Sequence, residues 1–267
     1  MKIDFHYHHA DRENFIEDLL AGMDRAEIDK TVLLSGSPDH RSIITLTAHR
    51  GNEDTLRVMK QYPDRIIGAI YLDPRKPDTL DTFERYAQAG LRCVKMFPPA
   101  GFYPDDERFY PLYEKIQEYR MPVLFHTGLT NTGYRGVYGK VMSSKYSHPL
   151  NMDILLRLFP DIPFVFAHMG YPHYFETWAM AKVNSNVYLD ISGAGCEWMR
   201  AAPFVYNSLR MAEYCPVDFK RVVWGSDNIL TQYETLEESR VLMRNMGCSR
   251  EDERYVFGET AGRLLRL

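Results

Sequence analysis

Pro163-Phe164-Val165-Phe166-Ala167-His168-Met169-Gly170 has a counterpart earlier in the chain, Pro122-Val123-Leu124-Phe125-His126-Thr127-Gly128. Each is a short run, apolar on both faces, that ends in histidine and reaches glycine two residues later. A strand buried on both faces reads this way, and such strands belong to parallel sheets covered by helices. Working outward, the same kind of run recurs at Lys2–His6, Thr31–Leu34, Arg65–Leu72, Leu91–Phe97, Met121–His126, Pro163–His168, Val187–Ile191 and Arg221–Trp224. These are eight candidate strands.

Amphipathic segments separate them. Phe15, Leu19 and Met23 mark one helical face after the first strand. Leu80, Phe83 and Ala87 do so before the fourth, with Gly90 placed as a helix C-cap glycine. Leu112, Ile116 and Tyr119 precede the fifth, and Ile154, Leu155, Leu158 and Phe159 the sixth. Strand–helix alternation predicts a parallel sheet. Eight such units fill the 267 residues without a linker. The predicted fold is therefore α/β, a (β/α)8 TIM barrel, with residues 1–267 as one domain. A doubly wound open sheet is the weaker alternative, since no Gly-x-Gly-x-x-Gly turn follows the first strand.

Composition removes other classes. Lys and Arg number 32 against 36 Asp and Glu, a net charge of −4, so no basic face for duplex nucleic acid is expected. No apolar stretch approaches the length of a membrane span. The opening Met1-Lys2-Ile3-Asp4-Phe5-His6 turns polar before a signal-peptide core could form. Cys93, Cys196, Cys215 and Cys248 are scattered, which suits free thiols in a reducing cytoplasm. Three of the nine histidines, by contrast, fall together in His6-Tyr7-His8-His9.

A barrel of this kind keeps its active site at the C-terminal ends of its strands. Strand one ends in His6 and His8, whose alternation turns both imidazoles to the mouth and Phe5 and Tyr7 outward. Strands five and six end at His126 and His168, and strand eight runs into Gly225-Ser226-Asp227. Singly, each has an ordinary reading: a core histidine, a loop histidine, a helix N-cap. Jointly they make three or more imidazoles and a carboxylate, the donor set of a zinc-type divalent metal. Such an ion lowers the pKa of bound water toward 7.

At these residues the sequence resembles the amidohydrolase superfamily, and within it the amidohydrolase-related (amidohydrolase 2) group of metal-dependent hydrolases and decarboxylases. The resemblance runs through Ile3–His8, Gly90–Lys95, Pro122–Gly128, Phe159–Gly170, Asn186–Ser192 and Gly225–Asp227. It implies one divalent metal ion per chain, Zn2+ first among candidates, held by His6, His8, His126 and Asp227. His168 is then the strand-six acid/base, or a ligand in two-metal members. Lys95 matches a strand-four lysine that is carboxylated in some branches; anchoring substrate or a buried carboxylate is the reading preferred here. Two departures stand out: Met96-Phe97-Pro98, where a histidine often precedes the proline, and Thr260 in place of the usual Asn.

The long connection after strand five carries Tyr134, Arg135, Tyr138, Lys140, Lys145 and His148, which suits an anionic small-molecule substrate or a solvated loop. Tyr134 and Arg135 are the substrate contacts expected from it. Tyr71 and Asp73 end strand three, Asp73 as a mouth residue or a turn residue. The expected activity is hydrolysis of an amide, lactone or ester, with Asp227 collecting a proton and His168 stabilising or protonating. Decarboxylation of an aromatic or unsaturated carboxylate is the alternative, disfavoured because decarboxylases of the group tend to be longer chains. A non-catalytic metal-binding barrel is a third reading, weakened by the filled ligand positions. A homo-oligomer is left open.

Overall fold

The computed structural model describes residues 1–37, 41–42, 49–130, 132–133, 142–194, 196, 199–211, 218–227 and 231–267, with 41–42 and 132–133 as backbone. Tyr134, Arg135, Tyr138 and Lys140, and with them the two expected substrate contacts, lie outside the described residues.

All eight predicted strands form: β1 Ile3–His8, β2 Lys30–Leu34, β3 Ile66–Leu72, β4 Cys93–Met96, β5 Val123–Phe125, β6 Phe164–Phe166, β7 Val187–Asp190 and β8 Val222–Val223. They pair in chain order, every ladder parallel. The ends of the sheet meet: the Phe5 N–H donates to the Trp224 carbonyl at 2.8 Å and the Asp227 N–H to the His6 carbonyl at 2.7 Å. One helix follows each strand: α1 Phe15–Ala26, α2 Asn52–Gln61, α3 Thr79–Gln88, α4 Tyr110–Tyr119, α5 Asp153–Leu158, α6 Tyr174–Val183, α7 Ala202–Met211 and α8 Gln232–Asn245. The chain is a single-domain (β/α)8 barrel. No helix among the described residues is long and apolar enough to cross a membrane.

Strand alternation divides the apolar residues into two sets. Ile3, Phe5, Val32, Leu34, Ile67, Ala69, Cys93, Leu124, Val165 and Val223 fill the barrel interior. Their neighbours in sequence, such as Leu33, Ile66, Ile70, Val94, Val123 and Phe164, pack outward under the helices. After α9 Arg250–Arg254, the last helix, α10 Thr260–Leu265, closes the foot: Ala261, Leu264 and Leu265 join the interior set. Thr260, the departure noted in the sequence, donates its hydroxyl to the Lys220 carbonyl at 3.0 Å and ties this plug to the start of β8.

The helix faces mostly follow the predicted periodicity. Phe15, Leu19, Met23, Phe83, Leu112 and Ile116 are buried. Gly90, at φ +103°, ends α3 in a Schellman turn, with its N–H on the Ala87 carbonyl and the Leu91 N–H on that of Tyr86. Two stretches differ. Leu80 is exposed, Tyr86 taking its place on the buried face, and Ile154 and Leu158 stand outward while Leu155 and Leu156 pack in. In a helix as short as α5 only one side can reach the barrel, and the sequence offers apolar residues on both.

Candidate metal centre at the barrel mouth

The site begins with an irregularity in β1. Asp4 stands opposite Thr31 but Tyr7 opposite Leu33, so two residues of β1 face one of β2, a β-bulge. The extra residue shifts the alternation by one. Phe5 therefore packs in the barrel interior, against the outward orientation predicted for it, and His6 beside it also faces inward. Tyr7 does turn outward, onto Phe15 of α1.

Asp4 holds this bulge in place. Fully buried, it accepts the Ser226 N–H at 3.0 Å, the Ser226 hydroxyl at 2.6 Å, Gln232 Nε2 at 2.9 Å and the His6 N–H at 3.2 Å. One carboxylate thus pins both the segment bearing His6 and the turn bearing Asp227. Burial raises its pKa to about 6 against the lowering effect of the Ser226 and Gln232 bonds. Gly225 is required here, since a Cβ on it would lie 2.3 Å from the His6 Cβ. Asp227 sits at φ +55° and does not cap α8; Thr231 does, in a capping box with Glu234.

Three donor atoms converge. His6 Nε2 lies 3.1 Å from His8 Nε2, and Asp227 Oδ1 is 3.3 Å from the first and 3.2 Å from the second. On the far side of its ring, His6 Nδ1 meets Asp190 Oδ2 at 2.7 Å and Ser192 Oγ at 3.1 Å. The carboxylate holds the ring proton on Nδ1 and leaves the Nε2 lone pair aimed at the other two donors. Ligands about 2.0–2.1 Å from a tetrahedral zinc ion are separated by about 3.3 Å. The triangle of donors has that size, so these residues fit a divalent metal.

The surrounding charges suit the same reading. Burial alone would raise Asp227, but His6, the His8 hydrogen bond and His168 together hold it well below the ordinary carboxylate range. His6 is pushed far down by burial and by Lys95, which keeps the imidazole neutral. Lys95, predicted on strand four, is buried with Nζ 3.4 Å from His6 Nε2. Burial lowers it to about 8 although Asp227 and Asp190 favour its charge. Asp190 is raised to about 6, again by burial first.

His168 is buried at φ +56°, a left-handed conformation that costs energy in a non-glycine residue and is sustained by its surroundings. Its Nδ1 lies 3.0 Å from Ser192 Oγ and 3.9 Å from Asp227 Oδ2. His126 stands beside the triangle rather than in it. Its Nε2 donates to the Leu129 carbonyl at 3.1 Å, and its ring is 5.1 Å from that of His168 and 4.9 Å from Phe97. Phe97, in the departing Met96-Phe97-Pro98 stretch, is thus an apolar wall. A Cβ on Gly128 would strike the Tyr171 carbonyl at 1.9 Å, and one on Gly170 the Thr177 hydroxyl at 2.1 Å. Both are demanded by loop packing. Asp73 resolves as a turn residue, bound to the Arg75 backbone N–H at 3.1 Å and its guanidinium at 2.6 Å.

Asp4, Asp190 and Ser192 were not singled out from the sequence. Asp190 carried a usable signal, being an acidic residue at the end of an otherwise apolar strand, as Asp227 is.

A parallel barrel that gathers imidazoles and a carboxylate at its C-terminal mouth defines a metal-dependent barrel enzyme. The chain belongs to the amidohydrolase family (Amidohydro_2), whose model matches residues 3–267, a family of metal-dependent hydrolases and decarboxylases. No curated protein matches it significantly in sequence. Among solved structures, an uncharacterized TIM-barrel protein from Bordetella bronchiseptica is 20% identical, with TM-score 0.76 over 99% of this chain and 98% of that one. A probable 2-pyrone-4,6-dicarboxylic acid hydrolase from Acinetobacter baumannii, with citric acid bound, is 16% identical, with TM-score 0.67 over 100% and 99%. The 2,6-dihydroxybenzoate decarboxylase from Rhizobium is 15% identical, with TM-score 0.69 over 99% and 98%. That coverage removes chain length as a guide to the reaction.

Proposed function

We propose that this protein is a metal-dependent hydrolase that opens an amide, lactone or ester of a small anionic substrate. One observation carries the reading: the two oxygens of Asp227 face different partners, Oδ1 the nitrogens of His6 and His8, Oδ2 the side of His168. A single carboxylate can then serve as a ligand through one oxygen and accept a proton through the other. His6, His8 and Asp227 would hold the ion, with His126 kept as the remaining ligand on sequence grounds. When bound, the ion, Zn2+ first among those that imidazole and carboxylate donors suit, supplies Lewis acidity and water that ionises near neutral pH.

The other steps belong to the chain. Asp227 Oδ2 takes the proton of the attacking water and delivers it toward the leaving group. His168, held by Ser192, stabilises or protonates the developing negative charge. Lys95, buried beside the donors, attracts an anionic substrate that the net charge of −4 would otherwise repel. Tyr134 and Arg135 are retained as substrate contacts on sequence grounds. The hydrolase and decarboxylase named above act on ring carboxylates, which supports the same substrate class here. The scattered cysteines favour a cytoplasmic location.

The test is a panel of lactones, cyclic amides, esters and aromatic carboxylates, with acid release and CO2 followed separately. Acid release that requires added zinc and disappears in Asp227→Asn is expected. CO2 without hydrolysis would replace this reading with decarboxylation.

A further inference from the structure

A second group of metal-binding side chains stands at the rim, apart from the centre described above. His148 lies in the connection between β5 and α5, and His173 and Glu176 lie at the first turn of α6, in the connection from β6. A ligand atom from each of the three falls within 4.8 Å of the others, and the His148 and His173 ring centroids are 4.0 Å apart. All three are half-buried. His173 and Glu176 share a face because they are three apart at a helix start. His148 reaches them from a segment remote in sequence.

The backbone beneath these side chains is already ordered. Gly128 and Ser147 exchange hydrogen bonds, the Gly128 N–H to the Ser147 carbonyl at 2.8 Å and the Ser147 hydroxyl to the Gly128 carbonyl at 2.7 Å. The Leu129 N–H meets the Tyr171 carbonyl at 2.8 Å, the His173 N–H the Gly170 carbonyl at 2.8 Å, and the Thr177 hydroxyl the His173 carbonyl at 2.8 Å. Gly170 is wedged against Thr177 and Pro149 so closely that a Cβ there would lie 2.1 Å and 3.0 Å from them. A ligand set on a rigid frame loses little entropy on binding. His148 Nδ1 accepts the Leu150 N–H at 3.3 Å, a long bond that an ion can displace cheaply.

We infer that His148, His173 and Glu176 form a second site for a zinc-class divalent ion, one that clamps the β5–α5 connection to the start of α6. Two imidazoles and a carboxylate are zinc donors, and their partial exposure leaves a fourth position to water. The ion held there joins the two connections that follow the strands of His126 and His168, so its occupancy stiffens the mouth without entering the central donor triangle.

The experiment counts zinc. Chelator-stripped protein is titrated with ZnCl2 by calorimetry, and retained metal is measured after desalting, for the wild type, His148→Ala, His173→Ala, Glu176→Gln and Asp227→Asn. The wild type is expected to hold two equivalents. His148→Ala and His173→Ala are each expected to lose one, while Asp227→Asn keeps the rim equivalent. A wild type that loses no equivalent in either histidine variant overturns the proposal, whatever number it holds at the central site. Should a variant fail to fold, zinc-soaked crystals of the unmodified protein decide instead. An anomalous peak bounded by His148, His173 and Glu176 supports the site; its absence there at saturating zinc overturns it.

Discussion

The two histidine clusters of this barrel occupy neighbouring parts of its mouth and differ in what stands behind the donors. At His6, His8 and Asp227 the support is made of side chains. Asp190 and Ser192 hold the His6 ring, Asp4 pins its backbone to the Ser226 turn, and Lys95 sets the local charge. At His148, His173 and Glu176 the support is mainly backbone, loop against loop and tied by the Ser147 and Thr177 hydroxyls, with the donors half in solvent. Reactivity needs the first kind of construction. Buried partners choose a tautomer, exclude water and tune charge, whereas an ordered rim cluster can bind an ion without preparing it for chemistry.

The largest expected effect tests the central cluster directly. Asp227→Asn should lower turnover on the order of 10³-fold or more, because both a ligand and the proton acceptor are lost. The fold should persist by circular dichroism, with stability lowered by the loss of the Asp227 charge; activity retained in the variant would mark Asp227 as structural. Next comes the support. Asp190→Asn should weaken zinc at the central cluster about 10–100-fold and leave the rim equivalent untouched. Equal weakening at both clusters would remove the contrast between them.

The third effect is on stability against pH in chelator-stripped protein. Asp4 and Asp190 are raised to about 6 from an ordinary 3.8, so between these values the folded chain binds more protons than the unfolded one. Stability therefore falls as pH climbs from about 4 to about 6 and flattens above, by about 3 kcal/mol for each carboxylate at two pKa units. Asp227, depressed, has the opposite sign: its contribution is present above the ordinary carboxylate range and is lost as pH falls. Asp4→Asn should remove its share of the decline between pH 4 and 6, read as the difference in slope of unfolding free energy against the wild type. At the rim the sign reverses. His173 is lowered by burial and by His148, so what it contributes is lost as pH falls below the ordinary histidine value. The smallest effect belongs here as well: without zinc, His148→Ala should shift stability by no more than about 0.5 kcal/mol.

The strands, the helices and the mouth were open to a reader of the sequence because their signals are local. The apolar runs around Val123 and Val165 and the alternation through Ile67, Ala69 and Tyr71 depend on neighbours a few residues away. Gly90 announced its helix end for the same reason. His6, His8, His168 and Asp227 could be proposed together because a barrel collects its strand ends at one place, and the structure does bring them together. His126 was grouped with them by the same logic, yet its bond to Leu129 leaves it to the side. A strand end predicts the region a side chain enters but not the partner it takes.

What the sequence determined by itself was the periodic part: eight βα units, an interior of alternating apolar residues, and histidines at the ends of strands. The tertiary structure alone decided the rest. The bulge that turns both Phe5 and His6 inward depends on the register between β1 and β2, which the run Lys2–His6 does not encode by alternation. The Asp190 bond to His6 spans 184 residues, and Asp4 reaches Ser226 across 222. His148, in the sequence only one residue of a long loop, meets His173 because two loops pack through Gly128 and Gly170. Hydrogen bonds and close packing act over a few ångströms in space, so they leave no period in the chain that makes them.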